Sequence, residues 1–196
     1  MVLDNQILET LEKEKSVYFD GAFTMDFLNE LELLFLNQSG QFRAAAISKN
    51  KEVHAWIRGD FIYWLDADKH HFVFSVLHKI KEELSQYFRI ALNQIEAHLA
   101  HYPADKGYNK HIDQPRNSLQ KRVFSMTLYL NREWKKGDGG ELLIFNSDSP
   151  DQIKQSIDPL YGRATLFFSD QVPHQVSKTF CDRKSLTLWF RHDIIP

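Results

Sequence analysis

The chain has 196 residues, 43% of them hydrophobic, which is enough for one substantial core and short for two, so one domain over 1–196 is expected. A formal net charge of −2 carries no basic field of the kind that phosphate backbones attract, which argues against a nucleic-acid partner. Cys181 is the only thiol, so an intrachain disulfide is excluded and a reducing, cytoplasmic compartment is the expectation.

The opening residues, MVLDNQILETLEKEK, carry charges throughout and lack the basic start, apolar middle and small-residue cleavage site of a secretory signal. Leu3, Ile7, Leu8 and Leu11 recur at helical spacing, and Phe27, Leu28, Leu31, Leu34 and Phe35 repeat it before Ser39-Gly40 offers a stop. The strongest helical pattern is 71–89. There Val73, Val76, Leu77, Ile80, Leu84, Tyr87 and Phe88 share one face, while Lys79, Lys81, Glu82 and Glu83 largely occupy the other, as in a long helix backing a sheet. The richest apolar run, Phe72 to Leu77, is soon broken by Lys79, Lys81 and Glu82, so no membrane span is expected.

From about residue 94 the period changes to two, which divides the chain into a helical N-terminal part of about 1–90 and a β-rich core of about 91–196. In 122–130, Val123, Ser125, Thr127 and Tyr129 point one way and Phe124, Met126, Leu128 and Leu130 the other. Residues 183–191 repeat this, with Arg183, Ser185, Thr187, Trp189 and Arg191 opposite Leu186, Leu188 and Phe190. Strands with one dry face predict helices packed outside a curved sheet, with the polar faces lining a cleft. The fold class is therefore α+β: a double-stranded β-helix (jelly roll) with the N-terminal and central helices on one sheet. NREWKKGDGG (131–140) and NSDSPDQ (146–152) are turn-rich connections without room for a linker. DSPD (148–151) lacks the oxygen-ligand spacing of a calcium loop.

The chemical signal is His111-Ile112-Asp113 followed by a distant His174. Residues i and i+2 of a strand project to one side, so His111 and Asp113 can share a metal to which a facing strand adds His174. Two imidazoles and a carboxylate form the facial triad of non-haem iron(II) oxygenases, with positions open for further ligands. His-x-Asp alone is a weak signal in a chain with nine histidines. It gains weight from Arg183, nine residues beyond His174, whose face continues as Ser185 and Thr187 and suits bidentate pairing with a carboxylate; the alternative is a solvated strand end. His98 shares the parity of Tyr102 and, with His101, leaves open either a second metal site or a hydrogen-bonded histidine. Cys181 has no base that can be placed beside it.

The segment from Tyr102 onward resembles 2-oxoglutarate oxygenases of the prolyl 4-hydroxylase type, most closely the hypoxia-sensing prolyl hydroxylases and their bacterial relatives. YPADKGYNKHID (102–113), TLYLNREWKKGDGGELLIF (127–145) and GRATLFFSDQVPHQV (162–176) carry the likeness, and IRGDFIYWLD (57–66) resembles a motif of that subgroup. The resemblance implies iron(II) on His111, Asp113 and His174, the distal carboxylate of 2-oxoglutarate on Arg183, and a hydrogen bond to the same end from Tyr129. It places Tyr102, Thr187 and Trp189 around that pocket. Arg58 and Asp60 are implied to pair with charges on the loop containing Arg122, closing it over a substrate, with Trp64 at the entrance. QPRNSLQKR (114–122) and the end at Pro196 depart from the animal enzymes, and both regions contact substrate in the family.

The implied activity is hydroxylation of a prolyl residue in a protein or peptide, with 2-oxoglutarate and O2 consumed, succinate and CO2 released, and ascorbate as a reductant. Some bacterial relatives act on a translation elongation factor, which makes such a partner an expectation, with the enzyme itself a monomer or weak dimer. The alternative is the same chemistry on a free amino acid, small metabolite or other side chain. A non-catalytic jelly-roll module has no use for a keto-acid anchor, and a nucleic-acid demethylase needs a basic groove with aromatic stackers.

Overall fold

The computed structural model describes residues 2–45, 57–114, 120–146, 149 and 151–193. In chain order the elements are α1 (Asn5–Glu14), β1 (Ser16–Phe19), α2 (Met25–Asn37), a 3-10 turn (Ser39–Gln41), β2 (Arg43–Ala44), β3 (Phe61–Trp64), α3 (His71–Phe88), β4 (Gln94–Tyr102) and β5 (Tyr108–His111). They continue as β6 (Gln120–Tyr129), β7 (Leu142–Phe145), β8 (Ile153–Ile157), β9 (Ala164–Phe168), β10 (His174–Val176) and β11 (Arg183–Asp193). The strands form two antiparallel sheets, a major one ordered β1-β9-β6-β11-β4-β3-β2 and a minor one ordered β5-β10-β7-β8. This is the expected jelly roll with its helices on the major sheet.

The apolar faces of β6 and β11 drive that packing. Phe124, Met126 and Leu128 sit in register with Phe190, Leu188 and Leu186, and all six are fully buried against Leu31 of α2 and Leu77, Ile80 and Leu84 of α3. Each such side chain contributes about 1.5–3 kcal/mol on burial, which outweighs any local preference of these segments. The helix ends follow local rules: the Asp4 and Thr24 side chains accept hydrogen bonds from the Ile7 and Phe27 N–H groups, and Lys15 and Arg89 close α1 and α3 in the left-handed conformation. The N-terminus is tied down where the Val2 and Leu3 N–H groups donate to the Glu83 carboxylate.

The N-terminal part is not purely helical. β1 extends one edge of the major sheet by pairing with β9, and β3 and β2 extend the other edge beyond β4. Strands of two to four residues show too few positions to display a period, so their sheet partners, not their own sequence, make them strands. No described helix is long and apolar enough to cross a membrane.

A second, smaller core lies between the sheets, where Tyr102, Tyr129, Leu142, Ile144, Phe167 and Val176 meet. The polar inward faces of β4, β6 and β11, with His98, Ser125, Thr127, Arg183 and Ser185 buried on them, lie on the side of the major sheet away from the main core, where the sequence places the cleft.

Candidate metal centre and anion pocket

His111 and His174 stand directly opposite each other on β5 and β10, neighbouring antiparallel strands of the minor sheet. β5 ends at His111, yet Asp113 still faces the same side, because Ile112 between them turns outward and is 45% exposed. Asp113 Oδ1 lies 3.4 Å from His111 Nε2 and 3.7 Å from His174 Nε2, and all three ligand atoms fall within 4.8 Å of one another. Both imidazoles are oriented the same way. His111 Nδ1 lies 2.7 Å from the Asn109 carbonyl and His174 Nδ1 3.0 Å from that of Val172, which fixes each Nδ1 as the donor and turns each Nε2 lone pair toward Asp113. The Trp189 indole N–H donates to Asp113 Oδ2 at 2.9 Å, leaving Oδ1 for an ion.

The charge states suit a metal. Burial alone would favour a neutral Asp113, but the imidazoles of His174 and His111 beside it hold its carboxyl well below the usual carboxylate range. Burial, reinforced by His111, pushes His174 down to about 4. At neutral pH the cluster therefore offers an ionised carboxylate and a neutral imidazole, the forms that bind metal. Two imidazole nitrogens and one carboxylate oxygen, each already oriented by a second partner, fit iron(II) in a facial triad.

Arg183 begins β11 opposite Tyr102 and is 2% exposed. Its Nε donates to the Gly140 carbonyl at 2.8 Å, and its guanidinium lies about equally above the rings of Tyr102 (5.0 Å) and Tyr129 (5.1 Å). No carboxylate pairs with it among the described residues. A buried cation held in place without its counter-ion is a binding site for an anion. The Tyr129 hydroxyl, 3.0 Å from Thr165 Oγ1, borders the same space, and burial raises its pKa so that it stays a donor. Thr187 follows Ser185 along the inward face of β11, with the two hydroxyls 3.5 Å apart, and Trp189 ends this row at Asp113. Thus Arg183, Tyr129, Tyr102, Thr187 and Trp189 converge on the cleft that the metal triad caps.

Gly140 was not singled out from sequence. A Cβ there would lie 2.9 Å from Arg183 Cδ, and its φ of +77° is one that glycine alone adopts readily. The paired glycines of GDGGE are the visible signal, but the contact spans 43 residues of sequence. Glu96 was missed as well, although it shares its strand face with His98 and Tyr102.

Among the described residues, the expected link between Arg58, Asp60 and the Arg122 loop is not formed. Arg58 pairs with Asp60 itself, Nε to Oδ1 at 2.7 Å and Nη2 to Oδ2 at 2.9 Å, and covers the Tyr108 ring. Residues i and i+2 of an extended segment share a side, so the nearest charge satisfies each of them. Arg122 instead bonds Glu96 (Nη2 to Oε2, 3.0 Å), lies 3.7 Å above the Trp189 ring and donates to the Asp113 carbonyl. Most of the loop leading to it, 115–119, lies outside the described residues, as do Asp148, Pro150 and Pro196. Trp64 stands half exposed at the rim, its ring 4.9 Å from that of His98. His98 and His101 build no second metal cluster among the described residues: they point to opposite faces of β4, and His101 Nε2 lies 3.3 Å from Asp182.

Residues 97–191 match the family model of the 2OG-Fe(II) oxygenase superfamily. A curated prolyl 3-hydroxylase of Xenopus laevis is 28% identical over 173 residues, covering 84% of this chain; the chain spans about a third, 32%, of that relative's length. Among solved structures, a Pseudomonas putida prolyl-4-hydroxylase superposes with a TM-score of 0.81 at 27% identity, over 95% of this chain and 98% of that one. A prolyl hydroxylase from Trichoplax adhaerens, solved with a peptide fragment of the hypoxia inducible factor oxygen degradation domain, gives 0.79 at 26% identity, over 95% and 87%.

Proposed function

We propose that this chain, which belongs to the 2-oxoglutarate–iron(II) oxygenase superfamily, hydroxylates a prolyl residue of a protein or peptide and releases succinate and CO2. The observation that carries this is Arg183, a buried guanidinium without a carboxylate partner among the described residues, on the same strand whose Trp189 orients Asp113. One strand thus positions both an anion anchor and a metal ligand, as a reaction joining a dicarboxylate to a metal requires.

His111 Nε2, His174 Nε2 and Asp113 Oδ1 would hold iron(II), which, bound with the keto acid and O2, supplies the oxidising power of the reaction. Arg183 would clasp the distal carboxylate of 2-oxoglutarate, and Tyr129 would donate to the same group while accepting from Thr165. Tyr102, Phe167 and Val172 line the walls and exclude water. Ascorbate would serve as a reductant that returns the iron to its ferrous state.

The substrate is assigned by likeness: the similar proteins are, by name, prolyl hydroxylases, and one was solved with a peptide. The rim formed by Trp64, Arg122 and the Arg58–Asp60 pair is where such a peptide would lie, and a prolyl site in a translation elongation factor is a candidate. The test is incubation with Fe(II), 2-oxoglutarate, ascorbate and a panel of prolyl peptides, with succinate and peptide mass both followed. Succinate formation with a gain of one oxygen at a proline is expected. Turnover of 2-oxoglutarate with no peptide oxidised would move the substrate to a free amino acid, small metabolite or other side chain.

A further inference from the structure

His98 is 1% exposed, and its Nδ1 has no hydrogen-bond partner among the described residues. It faces the cleft. Its cross-strand partners are Thr187 on β11 and Trp64 on β3, and its ring lies 4.9 Å from that of Trp64 and 5.3 Å from that of Trp189. A buried nitrogen left unsatisfied costs about 1–3 kcal/mol, so a fold that keeps one at a binding cleft is keeping it for a partner.

The position suggests which partner. Along the inward face of β11, Arg183 Nη1 lies 3.5 Å from Ser185 Oγ, and Ser185 Oγ lies 3.5 Å from Thr187 Oγ1; Trp189, next on that face, holds Asp113. Thr187 is thus midway between the anion anchor and the metal triad, and His98 flanks it on the β4 side, about 5 Å away at Cβ as for any directly opposed pair. Resting on the function proposed above, a 2-oxo acid between these ends would chelate metal through its keto oxygen and one carboxylate oxygen. The other oxygen of that carboxylate would be left without the metal and, in so buried a place, would need a donor.

We infer that His98 is a cosubstrate-binding residue whose imidazole donates an Nδ1–H hydrogen bond to the non-coordinating oxygen of the 2-oxo acid's carboxylate. Its charge state agrees. Burial first, and then the nearby Arg58, lower its pKa to about 3, with Asp60 opposing them, Arg122 adding to them and Asp113 opposing least, so the ring is neutral and carries one N–H. Arg58 is itself committed to Asp60, and Arg122 to Glu96, which leaves His98 as the donor without a partner on this flank.

The test uses the full chain loaded with Mn(II) in place of iron and titrated anaerobically with 2-oxoglutarate, in wild type, His98→Leu and His98→Gln. Wild-type binding checks the reading of the pocket, and its failure sinks that reading and this one together. With wild-type binding intact, His98→Leu should weaken 2-oxoglutarate about tenfold or more, while His98→Gln, which keeps an N–H donor, should stay within about threefold, and Mn(II) affinity should not change. Equal affinity in all three proteins, or equal loss in both variants, overturns the hydrogen bond alone. So does a rise confined to the KM for peptide, which would place His98 against the substrate. In the wild type loaded with diamagnetic Zn(II), 15N-histidine NMR should show His98 Nδ1 protonated when 2-oxoglutarate is added; an unaltered signal overturns the proposal whatever the variants do.

Discussion

Arg183 and Gly140 form one device, and their variants separate charge from shape. Arg183→Ala removes a buried guanidinium that, unlike Arg191, has no carboxylate partner among the described residues. The apparent KM for 2-oxoglutarate should then rise about a hundredfold, while metal affinity, set 3–4 Å around Asp113, stays unchanged. Gly140→Ala adds a methyl 2.9 Å from Arg183 Cδ at a positive φ. It should raise the same KM about tenfold and destabilise the fold by about 1–2 kcal/mol, which steady-state kinetics and urea denaturation can each measure. A Gly140→Ala enzyme with wild-type 2-oxoglutarate dependence would show that Arg183 does not need its seat. By contrast, His174→Ala removes a ligand whose Nδ1 is already committed to Val172, and both metal binding and turnover should be lost. Arg183 was legible because its parity continues as Ser185 and Thr187. Gly140 was not, because a glycine's contacts are made by what surrounds it.

At the scale of elements, legibility followed length. α3 has 18 residues and β6 and β11 have 10 and 11, so their periods could be read and their faces assigned, except at the bulge beside Arg191, where Val123 packs on the helix-side core instead of the polar face. The strands that carry the two histidines are the opposite case, β5 with four residues and β10 with three, and the ligand spacing and the family likeness, not a period, pointed to them. The same shortness hid β1 and β3, and the charge pairing of Arg58 could not be foreseen because an i, i+2 partner competed with a distant loop. The long helix should matter for stability and not for chemistry. Leu77 is fully buried beneath the major sheet, and Leu77→Ala should cost about 2–5 kcal/mol of unfolding free energy while leaving the KM for 2-oxoglutarate unchanged at low temperature. Changed cosubstrate binding in this variant would mean that the helix layer reaches the cleft, which the two separate cores argue against.

The whole molecule folds around two histidines that it will not let ionise, and that choice should appear as an acid dependence of folding. His98 is lowered to about 3, first by burial and then by Arg58; His174 is lowered to about 4, first by burial and then by His111. An unfolded chain would protonate both near 6.5. Between 6.5 and about 4 the unfolded state therefore holds protons that the folded state refuses, and stability must fall as pH falls, with a slope of about 1.4 kcal/mol per pH unit for each histidine. Above 6.5 neither state is protonated there and the contribution is flat. Asp113, held low in the fold, adds its own loss only at more acidic pH, as the unfolded carboxyl begins to take up protons near 3.9. Urea unfolding of the metal-free protein at pH 7.5, 6.5 and 5.5 should show the fall setting in below 6.5. His98→Leu should remove one of the two slopes, so its stability converges on that of the wild type as the solution is acidified, whatever it loses at pH 7.5. Parallel curves for the two proteins would mean that His98 is protonated in the fold after all, and a protonated ring would need a carboxylate against Nδ1 where none is found among the described residues.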